Sequence, residues 1–425
     1  MNLIADLRVR NLIQDIMPGT EEQLAKEMTI GYVGFDPTAD SLHVGNLLPI
    51  TLLMRLQRAG HQPMALLGGA TGMIGDPSGK SAERNLLDMA TIENNVNSQR
   101  KQLEKFLDFD PARPNAATLV NNYEWFKDFS FLDFIRDVGK HITVNYMMSK
   151  DSVQKRLETG LSFTEFTYQL IQGYDFYWLN KNRNVKLQMG GADQWGNIVT
   201  GTELIRRKGG GDAFAMTCPL ITKSDGGKFG KTESGTIWLD PARTSPYQFY
   251  QFWMNLPDAD AAKLAYTFSF KEVAEIEALI TAHNEAPHLR QLQKALAEEL
   301  TILVHSEEDL LFAQKATEIL FSSTAIDALR SLTERQLLEV MDGVPQVNGS
   351  KAALNADFDL LSFLADTRIY ASKGEAKKAI QGGGLSINKQ KVTGLDYAVT
   401  AAHLLNDKYL LIQKGKKEMT LAIFE

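Results

Sequence analysis

Residues 31–60 read GYVGFDPTADSLHVGNLLPITLLMRLQRAG. Ile30 to Phe35 is a short apolar run that suits a buried strand. Asp36-Pro37-Thr38 ends it, because proline has no amide to give to a ladder. Ser41 is a capping residue type, and Leu47, Leu48, Leu52, Leu53 and Leu56 give the following helix an apolar face until Gly60 stops it. A strand therefore feeds a helix, with His43 and Asn46 in the first turn. Free amides and the positive end of the helix dipole make such a place receptive to phosphate. Gly45 is costly inside a helix, which fits a backbone that something large must approach. An ordinary strand–helix junction with a surface histidine has the same pattern, and both readings stay open on these residues alone.

Outward from this stretch the pattern repeats. Pro63 to Ala70 is a second apolar run, expected beside the first as a parallel strand. It leads into Gly68-Gly69-Ala70-Thr71-Gly72-Met73-Ile74-Gly75-Asp76-Pro77-Ser78-Gly79-Lys80. This is no P-loop, since Gly79-Lys80-Ser81 would need glycine at 74, where the chain has Ile74. Strand and helix segments alternate to about residue 220, which predicts an α/β fold with a doubly wound, Rossmann-like parallel sheet. In such a sheet ligands gather at the carboxyl ends of the strands, where both glycine-rich stretches fall.

A helix is predicted from Phe163 to about Leu179, with Ser162 and Glu165 as a capping box. Tyr168, Gln172 and Asp175 fall at i, i+4 and i+7 and share one face. Most such stripes are solvated. The rest of this helix is apolar nearly all round, which predicts burial, and a buried polar stripe must be hydrogen-bonded or line a cavity. Val185 to Met189 reads as a further strand, followed by Gly190-Gly191-Ala192-Asp193-Gln194-Trp195-Gly196-Asn197. Asp193 is placed to cap the next helix and also to face a ligand at the strand end.

Bulk properties bound the function. At 425 residues the chain is long enough for two or three domains. Its longest apolar run, Leu47 to Met54, contains Pro49 and is far too short to span a bilayer. Asp6, Arg8 and Arg10 stand where a signal peptide would need an apolar core. A single cysteine, Cys218, excludes an intramolecular disulfide. These features predict a cytoplasmic protein without a membrane anchor. Residues 1 to 28 read as helical. No cluster has metal-ligand spacing, and no nucleophile sits in a triad pattern.

Past Pro246 the segments are helical and acidic, with helices expected near Ala259 to Thr267, Lys271 to Ala282 and His288 to His305. Asp342 to Ser350 reads as a linker. The domain boundaries expected are therefore 1–240 for the parallel-sheet domain, 241–338 for a helical domain, 339–352 for the linker and 353–425 for a small α+β domain. From Arg368 to Glu425 ten Lys or Arg face five Asp or Glu, so this tail carries +5 and the rest −12, within a net charge of −7. A basic tail on an acidic body suits a polyanion, or is a solvated basic surface. Lys373, Lys377 and Lys378 lie on one short helix, ended by Gly382-Gly383-Gly384.

Two short motifs carry a resemblance. His-Val-Gly-Asn at 43–46 resembles the HIGH signature of class I aminoacyl-tRNA synthetases, and Lys228-Phe229-Gly230-Lys231-Thr232 resembles their KMSKS loop. In this order, and with the stretches above, they resemble the bacterial tyrosyl-tRNA synthetases over nearly the whole chain. The tail resembles the small RNA-binding module of a ribosomal small-subunit protein and of some pseudouridine synthases.

The resemblance implies tyrosine, ATP with Mg²⁺, and tRNA(Tyr) as substrates, and a homodimer. It implies that Thr38, His43 and Asn46, with Lys80, Arg84, Lys228, Lys231 and Thr232, stabilise the reacting phosphates. Asn46 stands where many members carry a second histidine. Gly45, Gly191 and Asp193 would meet ATP. Tyr32 and Asp175 would hold the phenol hydroxyl; Asp76, Tyr168 and Gln172 the ammonium group; Asp36 and Gln194 the remaining amino-acid portion. Lys373, Lys377 and Lys378 would meet tRNA. The tryptophanyl enzyme, a small-molecule nucleotidyltransferase and a non-catalytic RNA-binding protein are the alternatives.

Overall fold

A computed structural model describes residues 2–425 except 79–85, 158–159, 225, 228, 233–234, 322–328, 343, 356–357 and 416–417. The chain divides into two compact units, Met1–Thr244 with Phe252–Val304, and Ser245–Gln251 with His305–Glu425.

The first unit is built on a six-stranded sheet. Its strands are β1 (Asp15–Ile16), β2 (Ile30–Phe35), β3 (Gln62–Leu67), β4 (Thr118–Asn121), β5 (Val185–Gly191) and β6 (Phe214–Cys218), in the order β1-β6-β5-β2-β3-β4. All neighbours are parallel except β1, which runs antiparallel to β6. The order reverses between β2 and β5, the position where a doubly wound sheet opens a crevice. Parallel strands are covered on both faces and read as continuous apolar runs, and Val185, Leu187, Ala65 and Leu67 are wholly buried here. The expected helical reading of residues 1–28 is corrected. Two helices, α1 (Leu3–Val9) and α2 (Thr20–Lys26), flank β1. Asn11, at φ 56°, and Met17-Pro18-Gly19, with Gly19 at φ 85°, break the helix.

Helix α3 (Leu47–Arg58) packs on β2, and the packing explains Gly31. A methyl there would stand 2.8 Å from Leu56 Cδ2, so only glycine lets the helix come this close. Helix α4 (Met89–Leu103) follows, capped by Asp88. Helix α5 (Phe163–Arg183) starts at Ser162, whose side chain accepts from the Glu165 amide as expected. Among the described residues the Glu165 carboxylate is buried against Arg156, with bonds of 2.8 and 3.1 Å, where the expected capping box would turn it back to Ser162. Nor is α5 buried all round, since Phe163 is 66% exposed. Helix α6 (Trp195–Arg207) begins at Gln194 without a side-chain cap, so Asp193 does not play the capping role expected of it. A hairpin of β7 (Lys231–Thr232) and β8 (Gly235–Thr236) follows. Helices Asp258–Phe268, Val273–Glu285 and Gln291–Val304 complete the unit, within a few residues of their expected ends.

The second unit closes on a five-stranded sheet of β9 (Gln346–Gly349), β10 (Leu385–Ile387), β11 (Gln390–Lys391), β12 (Tyr409–Lys414) and β13 (Glu418–Phe424), ordered β11-β10-β12-β13-β9. Within the stretch expected as a linker, Gln346–Gly349 pairs in parallel with β13, and Val347 packs on the core of this unit. The helix Lys373–Gln381 turns Ala376 and Ile380 inward and leaves Lys373, Lys377 and Lys378 exposed.

Candidate active site

A cleft of about 650 Å³ opens at the carboxyl ends of β2, β3 and β5. Thirteen of the residues singled out by sequence line it: Tyr32, Asp36, Thr38, His43, Gly45, Asn46, Asp76, Tyr168, Gln172, Asp175, Gly191, Asp193 and Gln194. They come from three strand ends and from the polar stripe of α5, which turns its face to a cavity as its spacing allowed.

The deepest part holds Asp175, 1% exposed. Its Oδ1 accepts from Trp125 Nε1 at 2.9 Å and its Oδ2 from Asn122 Nδ2 at 3.1 Å. Burial drives its carboxyl up to about 8; the two N–H donors oppose that rise, and Asp36 adds to it. Tyr32 lies on β2 with its hydroxyl buried and without a hydrogen-bond partner among the described residues. Burial, then the Asp175 charge, holds that phenol well above its ordinary value. A buried hydroxyl without a partner is costly, and together the two side chains offer a ligand hydroxyl one donor and one acceptor.

Asp36 accepts from Thr71 Oγ1 at 2.8 Å and from the Tyr168 hydroxyl at 3.0 Å. Asn122, itself wholly buried, ties Thr71 to Asp175 and accepts from the Ala70 amide. Further along the cleft Asp76 accepts from Gln194 Nε2 at 2.7 Å and from the Ser78 amide at 2.9 Å. Gln172 Oε1 is buried without a partner among the described residues. Two carboxylates, Asp36 and Asp76, and neutral oxygens therefore line one pocket, which suits a cation of ammonium size.

The other end of the cleft joins the two short motifs. Val44–Asn46 forms a 3₁₀ turn ahead of α3, and His43 caps it: Nδ1 accepts from the Gly45 amide at 3.0 Å, while Asn46 Oδ1 accepts from the His43 amide at 3.0 Å. Ser41 is thus not the cap expected; its hydroxyl donates to the Leu42 carbonyl instead. The chain is still extended at Leu42 and His43, where it bridges to Trp238 and Leu239. The large group that needs Gly45 is the His43 ring itself, because a methyl on Gly45 would stand 2.8 Å from His43 Cε1.

The Val44 amide donates to the Ile237 carbonyl and the Ile237 amide to the Gly230 carbonyl, so the second motif is tied to the first. Gly230, at φ 80°, lies against Val44 and Gly45. Phe229 lines the cleft and stacks on Phe268 with ring centres 5.8 Å apart. Lys231 and Thr232 lie in β7; Lys80, Arg84 and Lys228 fall outside the described residues. Lys373, Lys377 and Lys378 belong to the second unit.

Sequence reading missed Thr71, Asn122 and Trp125, which carry no local signal because their partners are more than thirty residues away. It also missed Gln188, 2% exposed, lining the cleft with Oε1 unpartnered among the described residues. A glutamine between Leu187 and Met189, in the buried part of a parallel strand, was the signal that could have found it.

Comparison with known proteins gives the family. The model of class I tRNA synthetases for tryptophan and tyrosine matches residues 24–322, and that of the tyrosine–tRNA ligase SYY-like C-terminal domain matches 336–422. A tyrosine–tRNA ligase of Bacteroides fragilis is 60% identical over 428 residues, covering 100% of both chains. One from Porphyromonas gingivalis is 61% identical over 430 residues, again covering 100% of both. Among solved structures, a C-terminally truncated mitochondrial tyrosyl-tRNA synthetase of Aspergillus nidulans has a TM-score of 0.66 at 30% identity, covering 75% of this chain and 94% of that one. With both family models matched and 60% identity across its full length, the chain belongs to the tyrosine–tRNA ligases, within the class I tRNA synthetases.

Proposed function

We propose that the cleft runs both steps of tyrosine charging. The tyrosine carboxylate attacks the α-phosphate of ATP, giving tyrosyl-adenylate and releasing pyrophosphate; a terminal ribose hydroxyl of tRNA(Tyr) then takes the tyrosyl group and AMP leaves. The observation that carries this reading is the buried pair of Tyr32 hydroxyl and Asp175 carboxyl in the same cleft as the joined His43–Asn46 and Gly230 motifs. A phenol both donates and accepts, whereas an indole N–H only donates, which favours tyrosine over tryptophan.

Tyr32 and Asp175 hold the phenol. Asp76, Tyr168 and Gln172 hold the ammonium, and Asp36 and Gln194 the rest of the amino acid. Gly45, Gly191 and Asp193 receive ATP, which enters as its Mg²⁺ complex. Thr38, His43 and Asn46, with Lys80, Arg84, Lys228, Lys231 and Thr232, stabilise charge on the phosphates as it develops, where a fixed donor is worth most. Asn46 Oδ1 accepts from the His43 amide, and its Nδ2 faces the nucleotide as a donor.

Residues 353–425 meet tRNA through Lys373, Lys377 and Lys378, whose phosphate contacts would release counterions and make affinity salt-dependent. The enzyme acts as a homodimer in the cytoplasm. Support for the dimer is an apolar groove of about 960 Å³ in the first unit, lined by Phe131, Val144 and Phe163, each more than 60% exposed; a patch of this kind marks an interaction site. ATP–pyrophosphate exchange tested with each amino acid checks the substrate. Exchange driven by tryptophan and not by tyrosine overturns it.

A further inference from the structure

The segment between β2 and His43 is held from one side by one helix. In α4, Asn95, Gln99 and Gln102 fall at i, i+4 and i+7, so their side chains leave the same face. Asn95 Nδ2 donates to the Pro37 carbonyl at 2.9 Å, and Gln99 Nε2 to the Ala39 carbonyl at 3.0 Å. Gln102 Oε1 accepts from the Leu42 amide at 2.8 Å, while its Nε2 donates to Ser41 Oγ at 3.0 Å. Rung by rung, helix and segment run in the same direction.

These contacts are expensive to build. Asn95 is 4% exposed and Gln99 2%, and a buried amide costs free energy unless its polar atoms are paired. Apolar side chains would fill the same space without that cost. What the amides supply instead is a fixed position for backbone that belongs to no helix or strand. That backbone carries Thr38 and delivers His43 to the cleft. Gln99 lines the cleft itself.

We propose that Asn95, Gln99 and Gln102 are positioning residues for adenylate formation, an amide ladder that keeps Thr38 and His43 in register with the reacting phosphates. The proposal rests on the roles given to Thr38 and His43 above. It places little demand on tyrosine binding: of the residues given to tyrosine only Asp36 stands on this segment, ahead of the first rung, while Tyr32, Tyr168, Gln172 and Asp175 stand on other elements.

The test is single-turnover adenylate formation by the full chain, with tyrosine affinity and thermal unfolding measured alongside. Asn95→Asp and Gln99→Glu keep the volume and, measured at a pH where the new carboxyl is ionised, cannot donate to a carbonyl. Each is expected to slow the step on the order of tenfold to a hundredfold, the scale of a misplacement of about 1 Å, with tyrosine affinity unchanged. Gln99→Met removes the donor without adding charge and is expected to match Gln99→Glu. Gln102→Glu still accepts from the Leu42 amide, and the Ser41 hydroxyl can turn from the Leu42 carbonyl to the new carboxylate, so this variant is expected to keep the rate; Gln102→Ala is expected to lose it. Unchanged rates in Asn95→Asp and Gln99→Glu overturn the proposal. So does a loss confined to the charged variant at 99, which would be repulsion of phosphate, and so does tyrosine affinity falling in step with rate. Thr38→Ala and His43→Ala in the same assay separate the two levels. If they keep the rate, the roles of those residues fall; if they lose it while the ladder variants do not, only the ladder falls.

Discussion

Gly45→Ala tests the nucleotide end of the cleft at a single atom. The added methyl would lie 2.8 Å from His43 Cε1 and 2.9 Å from Nδ1, where ordinary contact begins at 3.4 Å. Either the imidazole retreats or the turn opens. Both break the 3.0 Å bond from the Gly45 amide to Nδ1, a loss of about 0.5–1.5 kcal/mol in a neutral hydrogen bond. The larger effect is on catalysis. A retreat of over half an ångström moves the His43 ring away from developing phosphate charge, and losing one such donor costs about 2.7–4 kcal/mol of barrier. Stopped-flow adenylate formation should therefore slow by up to about a thousandfold at the extreme, and by tenfold if the ring only shifts. Tyrosine affinity should hold, because Tyr32, Tyr168, Gln172 and Asp175 stand on other elements than this turn. In a double-mutant cycle Gly45→Ala should add little on top of His43→Ala, since both remove the same ring from the same place. Full additivity, or an unchanged rate in Gly45→Ala, would refute the reasoning.

Other outcomes follow from other parts of the molecule. Asp175 has a carboxyl raised to about 8 from 3.8, so between those values the folded chain keeps a proton that the unfolded chain has lost. Its contribution to stability is full below 3.8 and is lost as pH rises through about 8, at up to about 1.4 kcal/mol per pH unit; urea melts of Asp175→Asn should lack that slope, and an identical slope would remove the assignment. A chain ending at Val340 should keep pyrophosphate exchange and lose most tRNA charging, whereas a cut after Gly349 would leave β9 without its partner β13; full charging by the shorter chain, with unchanged salt dependence, would show that the tail does not bind tRNA. Phe163→Asp in the apolar groove should shift a dimer towards monomer in sedimentation equilibrium, by about 1.5–3 kcal/mol for each ring removed, and no shift would move the interface elsewhere.

What sequence could reveal was whatever one element decides alone. The strand–helix unit of residues 30–60 was legible because its apolar spacing changes from continuous to helical at Pro37. The stripe Tyr168, Gln172 and Asp175 was legible because its spacing is set within α5. Ser162 caps as its type suggests. Ser41 does not, since a contact with β-like backbone at Trp238 and Leu239, some two hundred residues on, keeps the chain extended past it. Asp15–Ile16 became a strand only because β6 offered an edge. Asn122 and Trp125 orient Asp175 through contacts that no local pattern announces. The signature at 43–46 pointed to the right chemistry, yet the reason for its glycine, the imidazole folded over it, needed coordinates.

The last strand in chain order, β13, is not an edge. It lies between β12 and β9, with Leu421, Ala422 and Phe424 buried to 1% or less. During synthesis the parallel sheet has all its strands once Cys218 has emerged, but the second sheet cannot close until Phe424 has emerged too. At about 5–20 residues per second that is roughly ten to forty seconds later. A nascent chain stalled or released once Val304 has emerged would hold the first unit and its cleft without the sheet of the second unit, which is proposed to meet tRNA. Such fragments would form adenylate that no tRNA collects. A quality-control test can be read from this directly: exchange activity should appear on stalled ribosomes well before charging activity does.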